Sequence, residues 1–282
     1  MTHALLMEAL LRPGPLVTVE LRPPRADLDT PLGISAWIDL HHTLHRLIRE
    51  ELFVFLTDNA VGAAEEENLA HVGANVGEDA DRRRIVPILT AKHSLDYCLL
   101  FASRAVSQGY DALTVLGGDR SVGPARCVPR ARELRELIER RVPGLALGAW
   151  VNPLKDPEEQ LGFVGTADAH ADFALGQIVS HHSLGDVERF LQVRERRAPT
   201  LPVVFGVFFY RSANPATLET LGGFFPVPAR QITRDFESGL DAEEICARTI
   251  RELRAAGADK IYVSNLGNRG AAARLRHILE RV

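Results

Sequence analysis

Short apolar runs rich in Val, Leu, Ile and Phe alternate along this chain with longer segments whose apolar residues recur every three or four positions. From Leu16 onward the runs at 16–21, 52–57, 84–90, 112–117, 144–151, 172–180, 201–209 and 260–265 read as strands. Segments such as 95–106, 131–142, 184–197 and 242–257 carry the period of amphipathic helices. Several of them stop at a glycine just before the next strand, as in 257–265. Most strand candidates are apolar on both faces, the pattern of parallel strands covered by helices. Eight such units predict a (β/α)8 TIM barrel occupying residues 1–282 as a single domain. An open doubly wound sheet uses the same count and stays an alternative. The stretch 23–34 reads as a loop after the first strand, and 222–231 as an insertion before the last long helix.

Composition narrows the class. Hydrophobic residues form 46% of the chain and charged residues 25%, enough for a full core and too balanced for disorder. A net charge of -4 gives no footprint for nucleic acid, and the arginines at 82–84 and 194–197 sit beside acids as solvated faces. Cys98, Cys127 and Cys246 are odd in number and far apart, which fits a reducing compartment better than a disulfide scaffold. The N-terminal stretch lacks the pattern of a secretory signal, and no uncharged run is long enough for a membrane span. The expectation is a cytoplasmic protein without membrane or nucleic-acid partners. A homo-oligomer or a partner subunit stays open.

In a barrel of this kind the carboxyl ends of the strands meet at one mouth, so polar residues there are candidates as a group. They are Glu20, Thr57, Asp58, Asn59, Thr90, Lys92, His93, Asp119, Arg120, Asn152, Gln177, His181, Tyr210, Arg211, Ser264 and Asn265. Glu20 ends the first strand just before Pro23 and Pro24. In a partly dry mouth desolvation raises a carboxyl pKa, which suits a proton donor; the plain alternative is a rim carboxylate paired with Arg22 or Arg25. Asp119 follows Gly117 and Gly118, two residues that allow a flat group to approach the backbone, whereas a turn with a helix cap is the ordinary explanation. Gln177 interrupts an apolar strand, so its amide needs partners from a neighbouring strand or a ligand. Histidines invite a metal reading. His41 and His45 share a helical face, but that helix belongs outside the barrel. His181 and His182 follow strand six without a His-x-His on strand one or an aspartate on strand eight, so solvated or capping roles are favoured and no metal site is assigned.

This constellation resembles the methylenetetrahydrofolate reductases. Val19 to Arg25 echo that family's FEFFPPK strand, Leu116 to Asp119 its LRGD, and Asp172 to Gln177 its sixth strand ending in TQ. Asn152 to Glu158 keep the prolines and last acid of YPExHPE, and the similarity continues in order to the final strand. The resemblance implies reduction of 5,10-methylenetetrahydrofolate to 5-methyltetrahydrofolate with NAD(P)H, through FAD or directly. It implies catalytic roles for Glu20, as the acid that protonates N10, and for Asp119, which would contact the pterin. Gln177, Asp119 and Tyr210 would bind substrate, and Thr57, Thr90, Gly117, Gly118 and Asn152 would bind the cofactor. Departures fall on the flavin side: Gly117 replaces an arginine, Ile88 a histidine, Asn152 and Asp156 the Tyr and His of YPExHPE, and Gly165 and Thr166 the basic residues before strand six. A methyltransferase or demethylase, or a non-catalytic folate-binding subunit, are the alternatives.

Overall fold

The computed structural model describes residues 4–24, 28–57, 80–119 and 123–282, and places eight parallel strands in one closed barrel. In chain order they are β1 Leu16–Leu21, β2 Val54–Leu56, β3 Ile85–Thr90, β4 Ala112–Leu116, β5 Ala146–Val151, β6 Phe173–Val179, β7 Val203–Phe208 and β8 Lys260–Ser264. Each strand pairs with the next, and β8 closes on β1 through Val17↔Ile261 and Thr18↔Tyr262. The predicted fold class is therefore the observed one, and the open sheet is excluded.

Alternation along each strand divides two cores. Val17, Val19 and Leu21 of β1, and Leu113 and Val115 of β4, point outward into the helical layer. That layer contains α2 Thr30–Arg49, α3 Leu95–Ser107, α4 Ala131–Arg141, α5 Pro157–Val164, α6 Leu184–Arg197, α9 Ala242–Ala255 and α10 Ala271–Leu279. Phe55, Val86, Phe173, Leu175, Val204 and Tyr262 point inward and fill the barrel. Helix α1, Leu5–Leu11, joins this inner cluster through Leu6 and Leu10, one helical turn apart, and closes the amino-terminal end beside Phe53, Ala112 and Ala146. Each of those leucines, fully buried, stabilises the fold by about 1.5–3 kcal/mol. The Leu5 amide donates to Asp111 Oδ2 at 2.8 Å, which anchors the helix start.

Two expectations change in detail. The stretch 23–34 is not all loop, because Asp29 accepts from the Leu32 amide at 2.9 Å and starts α2 at Thr30. The insertion around 222–231 lies between α7 Pro215–Gly222 and α8 Ala229–Glu237, which pack Leu218 and Ile232 with Tyr210 and Ile245. Helix α2 lies on the outside of the barrel, as expected, with Leu40, Leu44 and Leu47 buried against it. All three cysteines are free. Among the described residues no helix is long and apolar enough to cross a membrane.

Candidate active site

Glu20 stands on the inward face of β1, half-buried, at the carboxyl end of the strand. Beneath it lies an aromatic floor. The Phe55 ring centroid is 6.4 Å from that of Phe173 and 6.2 Å from that of Tyr262. Two inward positions are glycine because the floor needs their space. A Cβ on Gly148 would stand 2.5 Å from Phe173 Cζ, and one on Gly206 would stand 2.5 Å from the Tyr262 hydroxyl. Tyr262 donates to the Gly176 carbonyl at 2.8 Å. Burial, with the nearby negative charge of Glu20, holds the Tyr262 phenol well above its ordinary pKa, so it remains a neutral donor.

That hydrogen bond reaches β6 at its irregular point, since the pairing with β7 shifts between Leu175↔Val204 and Ile178↔Gly206. The extra residue puts Ile178 on the inward face with Leu175. Gln177 is consequently turned out of simple alternation, and its Oε1 accepts from the Ile178 amide at 2.8 Å. The bulge itself supplies one partner for this oxygen, and the amide nitrogen is left for another.

Two basic side chains lie against the glycine pair after β4. A Cβ on Gly117 would lie 2.6 Å from Arg126 Cζ, and one on Gly118 would lie 2.7 Å from Lys92 Cγ. Gly118 further requires glycine because its φ is +73°. The guanidinium of Arg126 lies flat against this backbone and donates to the Gly118 carbonyl, while Lys92 Nζ donates to the Pro124 carbonyl at 2.9 Å. Arg126 brings positive charge to the position where the resemblance expects an arginine at 117, from a place nine residues later. Asp119 stands beside them, exposed at the rim.

Asn152, expected at the cofactor, uses Oδ1 to accept from the Leu154 amide at 3.0 Å and shapes the turn after β5. Thr90 is buried at the end of β3, and Thr57 follows β2 half-buried with its amide donating to Leu21 O at 3.0 Å. Gly165 caps α5, and a Cβ there would sit 2.8 Å from that of Ala198, so a basic side chain has no room without a shift. Asp58, Asn59, Arg120 and Arg25 lie outside the described residues.

Tyr210 is buried and walls a cavity of about 360 Å³ with Leu154, Ile178, Ser180 and the 226–228 segment. Phe208, on the inward face of β7, stacks between Tyr210 and Phe225 with centroid separations of 4.9 and 5.2 Å. Trp150 is the residue that sequence reasoning passed over. Inward Ala146 and Gly148 set the alternation that turns it into the mouth, where it is 37% exposed. Strict period two in β5 carried that signal. A larger cavity of about 680 Å³ lies on the flank, between α2 and the start of α10.

The barrel thus sets an acid above an aromatic floor, with aromatic walls and two cations near the ends of β3 and β4. No family model matches the chain, and no curated protein matches it by sequence. Solved structures share its fold. An uncharacterized protein from Clostridium thermocellum, described as binding two copies of 5-methyl-5,6,7,8-tetrahydrofolic acid, superposes with a TM-score of 0.67 at 15% identity, covering 98% of this chain and 97% of that one. An F420-dependent secondary alcohol dehydrogenase gives 0.59 at 10% identity over 95% and 99%. The coenzyme F420-dependent tetrahydromethanopterin reductase of Methanopyrus kandleri gives 0.52 at 12% identity over 94% and 97%. At these identities the similarity establishes the barrel fold.

Proposed function

We propose that this barrel binds a reduced folate in its mouth and reduces 5,10-methylenetetrahydrofolate to 5-methyltetrahydrofolate with NAD(P)H, Glu20 acting as general acid. The observation that carries the reading is the half-buried carboxyl of Glu20 on the inward face of β1, near a neutral phenol, Tyr262, that donates to the Gly176 carbonyl of β6. Similarity of fold to a protein that binds 5-methyltetrahydrofolic acid and to a tetrahydromethanopterin reductase supports the substrate class. In this reading Trp150 and Phe208 offer faces for the pterin, and Asp119 and Gln177 offer polar contacts to its edge.

The step balances without further reagents. Glu20 protonates N10, the five-membered ring opens to an N5 iminium, and the hydride of NAD(P)H adds to the methylene carbon. NAD(P)+ leaves, and Glu20 regains its proton from solvent. FAD does not suit the residues the resemblance would give it. Arg126 and Lys92 fill the approach to Gly117 and Gly118, Asn152 is held in its turn, and Gly165 has no room for a basic side chain. Hydride therefore passes directly from the nicotinamide in this reading. Arg126 and Lys92 supply positive charge for an anionic part of substrate or reductant.

The test is anaerobic NAD(P)H oxidation with 5,10-methylenetetrahydrofolate, with and without FAD, for the parent and Glu20→Gln. Turnover without FAD is expected, falling about 10²–10⁴-fold in the variant. Turnover only with FAD would overturn direct transfer. No turnover in either condition would overturn the reductase reading, and tight 5-methyltetrahydrofolate binding in that case would leave a folate-binding or methyl-transfer protein.

A further inference from the structure

We propose that His181, His182 and Asp235 form a binding site for a divalent transition metal, zinc by its ligand set, that fastens α8 to the end of β6. His181 and His182 sit on a single 3-10 turn directly after β6, and Asp235 reaches them from α8. Asp235 Oδ2 lies 3.2 Å from His181 Nε2 and 2.8 Å from His182 Nε2, and the three ligand atoms are all within 4.8 Å of one another. A tetrahedral zinc ion with bonds of about 2.0 Å holds neighbouring ligand atoms about 3.3 Å apart. A slight spreading of the side chains reaches that geometry. Two imidazoles and one carboxylate, with a fourth position left for water, form a donor set that suits zinc.

The hydrogen bonds around His181 say which nitrogen is available. Thr249 Oγ1 donates its single hydrogen to the Ile245 carbonyl at 3.0 Å, so toward His181 Nδ1, 2.8 Å away, it acts as acceptor. Nδ1 carries the ring hydrogen, and Nε2 presents a lone pair toward the Asp235 carboxylate. The His181 side chain is only 2% exposed, and Nε2 makes no hydrogen bond among the described residues. Nε2 and the carboxylate oxygen thus face each other across a buried gap that a cation can fill. An acceptor behind the ring that fixes its tautomer, here the Thr249 hydroxyl, is the kind of support a metal-bound histidine needs.

Entry is open from one side, because the His182 side chain is 19% exposed. Arg248, 4.0 Å from Asp235 Oδ1, offsets charge on the oxygen that faces away from the histidines. The site has a structural consequence. It joins the carboxyl end of β6 to the α7–α8 segment that packs on Tyr210, so the metal would hold that wall of the mouth in place.

The experiment uses the full chain, stripped with a chelator and titrated with Zn²⁺ and with Co²⁺, whose visible spectrum reports tetrahedral ligation. One equivalent per chain is expected, lost in His182→Ala and Asp235→Asn. Thr249→Val, which touches no metal, should weaken binding about 10–100-fold through the lost support of His181. The control His41→Ala/His45→Ala, on the α2 flank, should bind as the parent does. Circular dichroism checks folding, and Asp235→Asn, nearly isosteric, decides the matter if His182→Ala fails to fold. A parent that takes up no stoichiometric metal, or binding that survives both ligand variants or vanishes in the α2 control, would overturn the proposal.

Discussion

Two buried tyrosines predict opposite responses to the same one-atom deletion. Tyr262→Phe removes a hydroxyl that donates to the Gly176 carbonyl at 2.8 Å from a fully buried side chain. The ring stays, so the loss is the hydrogen bond together with a carbonyl left dry, which costs about 1–3 kcal/mol. For a chain of this size each kcal/mol lowers Tm by about 2–4 °C, so the expected fall is about 2–12 °C. Tyr110 is equally buried, at 3% exposure, but its hydroxyl has no partner among the described residues, and burial pushes its pKa up to about 12. Tyr110→Phe removes a group that was already unsatisfied and should leave Tm unchanged or raise it. Thermal unfolding and urea titration of both variants beside the parent give the comparison. Because the native shape is kept, the urea slope should not change and only the midpoint should move. Equal losses in the two variants, or an unchanged Tyr262→Phe, would refute the claim that the phenol is held by Gly176 rather than by packing alone.

Two further perturbations address the same framework. Gly206→Ala would put a Cβ 2.5 Å from the Tyr262 hydroxyl, 2.6 Å from its Cζ and 2.9 Å from Ile178 Cδ1. These neighbours are rigid and buried, so the overpacking should cost about 1–3 kcal/mol, and Tyr262→Phe should rescue it only in part because the Cζ clash remains. A neutral urea midpoint for Gly206→Ala would contradict the packing of the floor. Asp111 holds the start of α1, yet burial raises its pKa above the ordinary carboxylate value. The folded chain therefore keeps this proton to higher pH than the unfolded chain. Stability from this group is present below the unfolded pKa and lost as pH rises through the folded one. Asp111→Asn should gain on the parent at pH 7 relative to pH 3 in urea titrations; a difference that does not vary with pH would remove the argument.

What was legible in the sequence follows the range over which each physical rule acts. Strand positions and the closed barrel could be read because two-faced apolar runs repeat locally, eight times, with helical periods between them. Glu20 was legible for a similar reason, since Pro23 and Pro24 mark where its strand must end. Trp150 was equally available through the alternation of β5, had the inward face been followed to the strand end. The β6 bulge was not, because a single extra residue leaves no local mark and appears only when β6 pairs with β7. Gly117 and Gly118 announced a close approach without naming the approaching group, which Arg126 and Lys92 bring from elsewhere in the chain. The histidine pair shows the limit most clearly. Its carboxylate lies 53 positions from His182 and its supporting hydroxyl 68 positions from His181, on two different helices. A search for partners on strands one and eight could not find them, because Asp235 and Thr249 reach this corner from helices packed against the barrel. Chemistry assembled by the barrel's own strands is readable from strand ends, whereas chemistry assembled by what packs on the barrel needs the packing first.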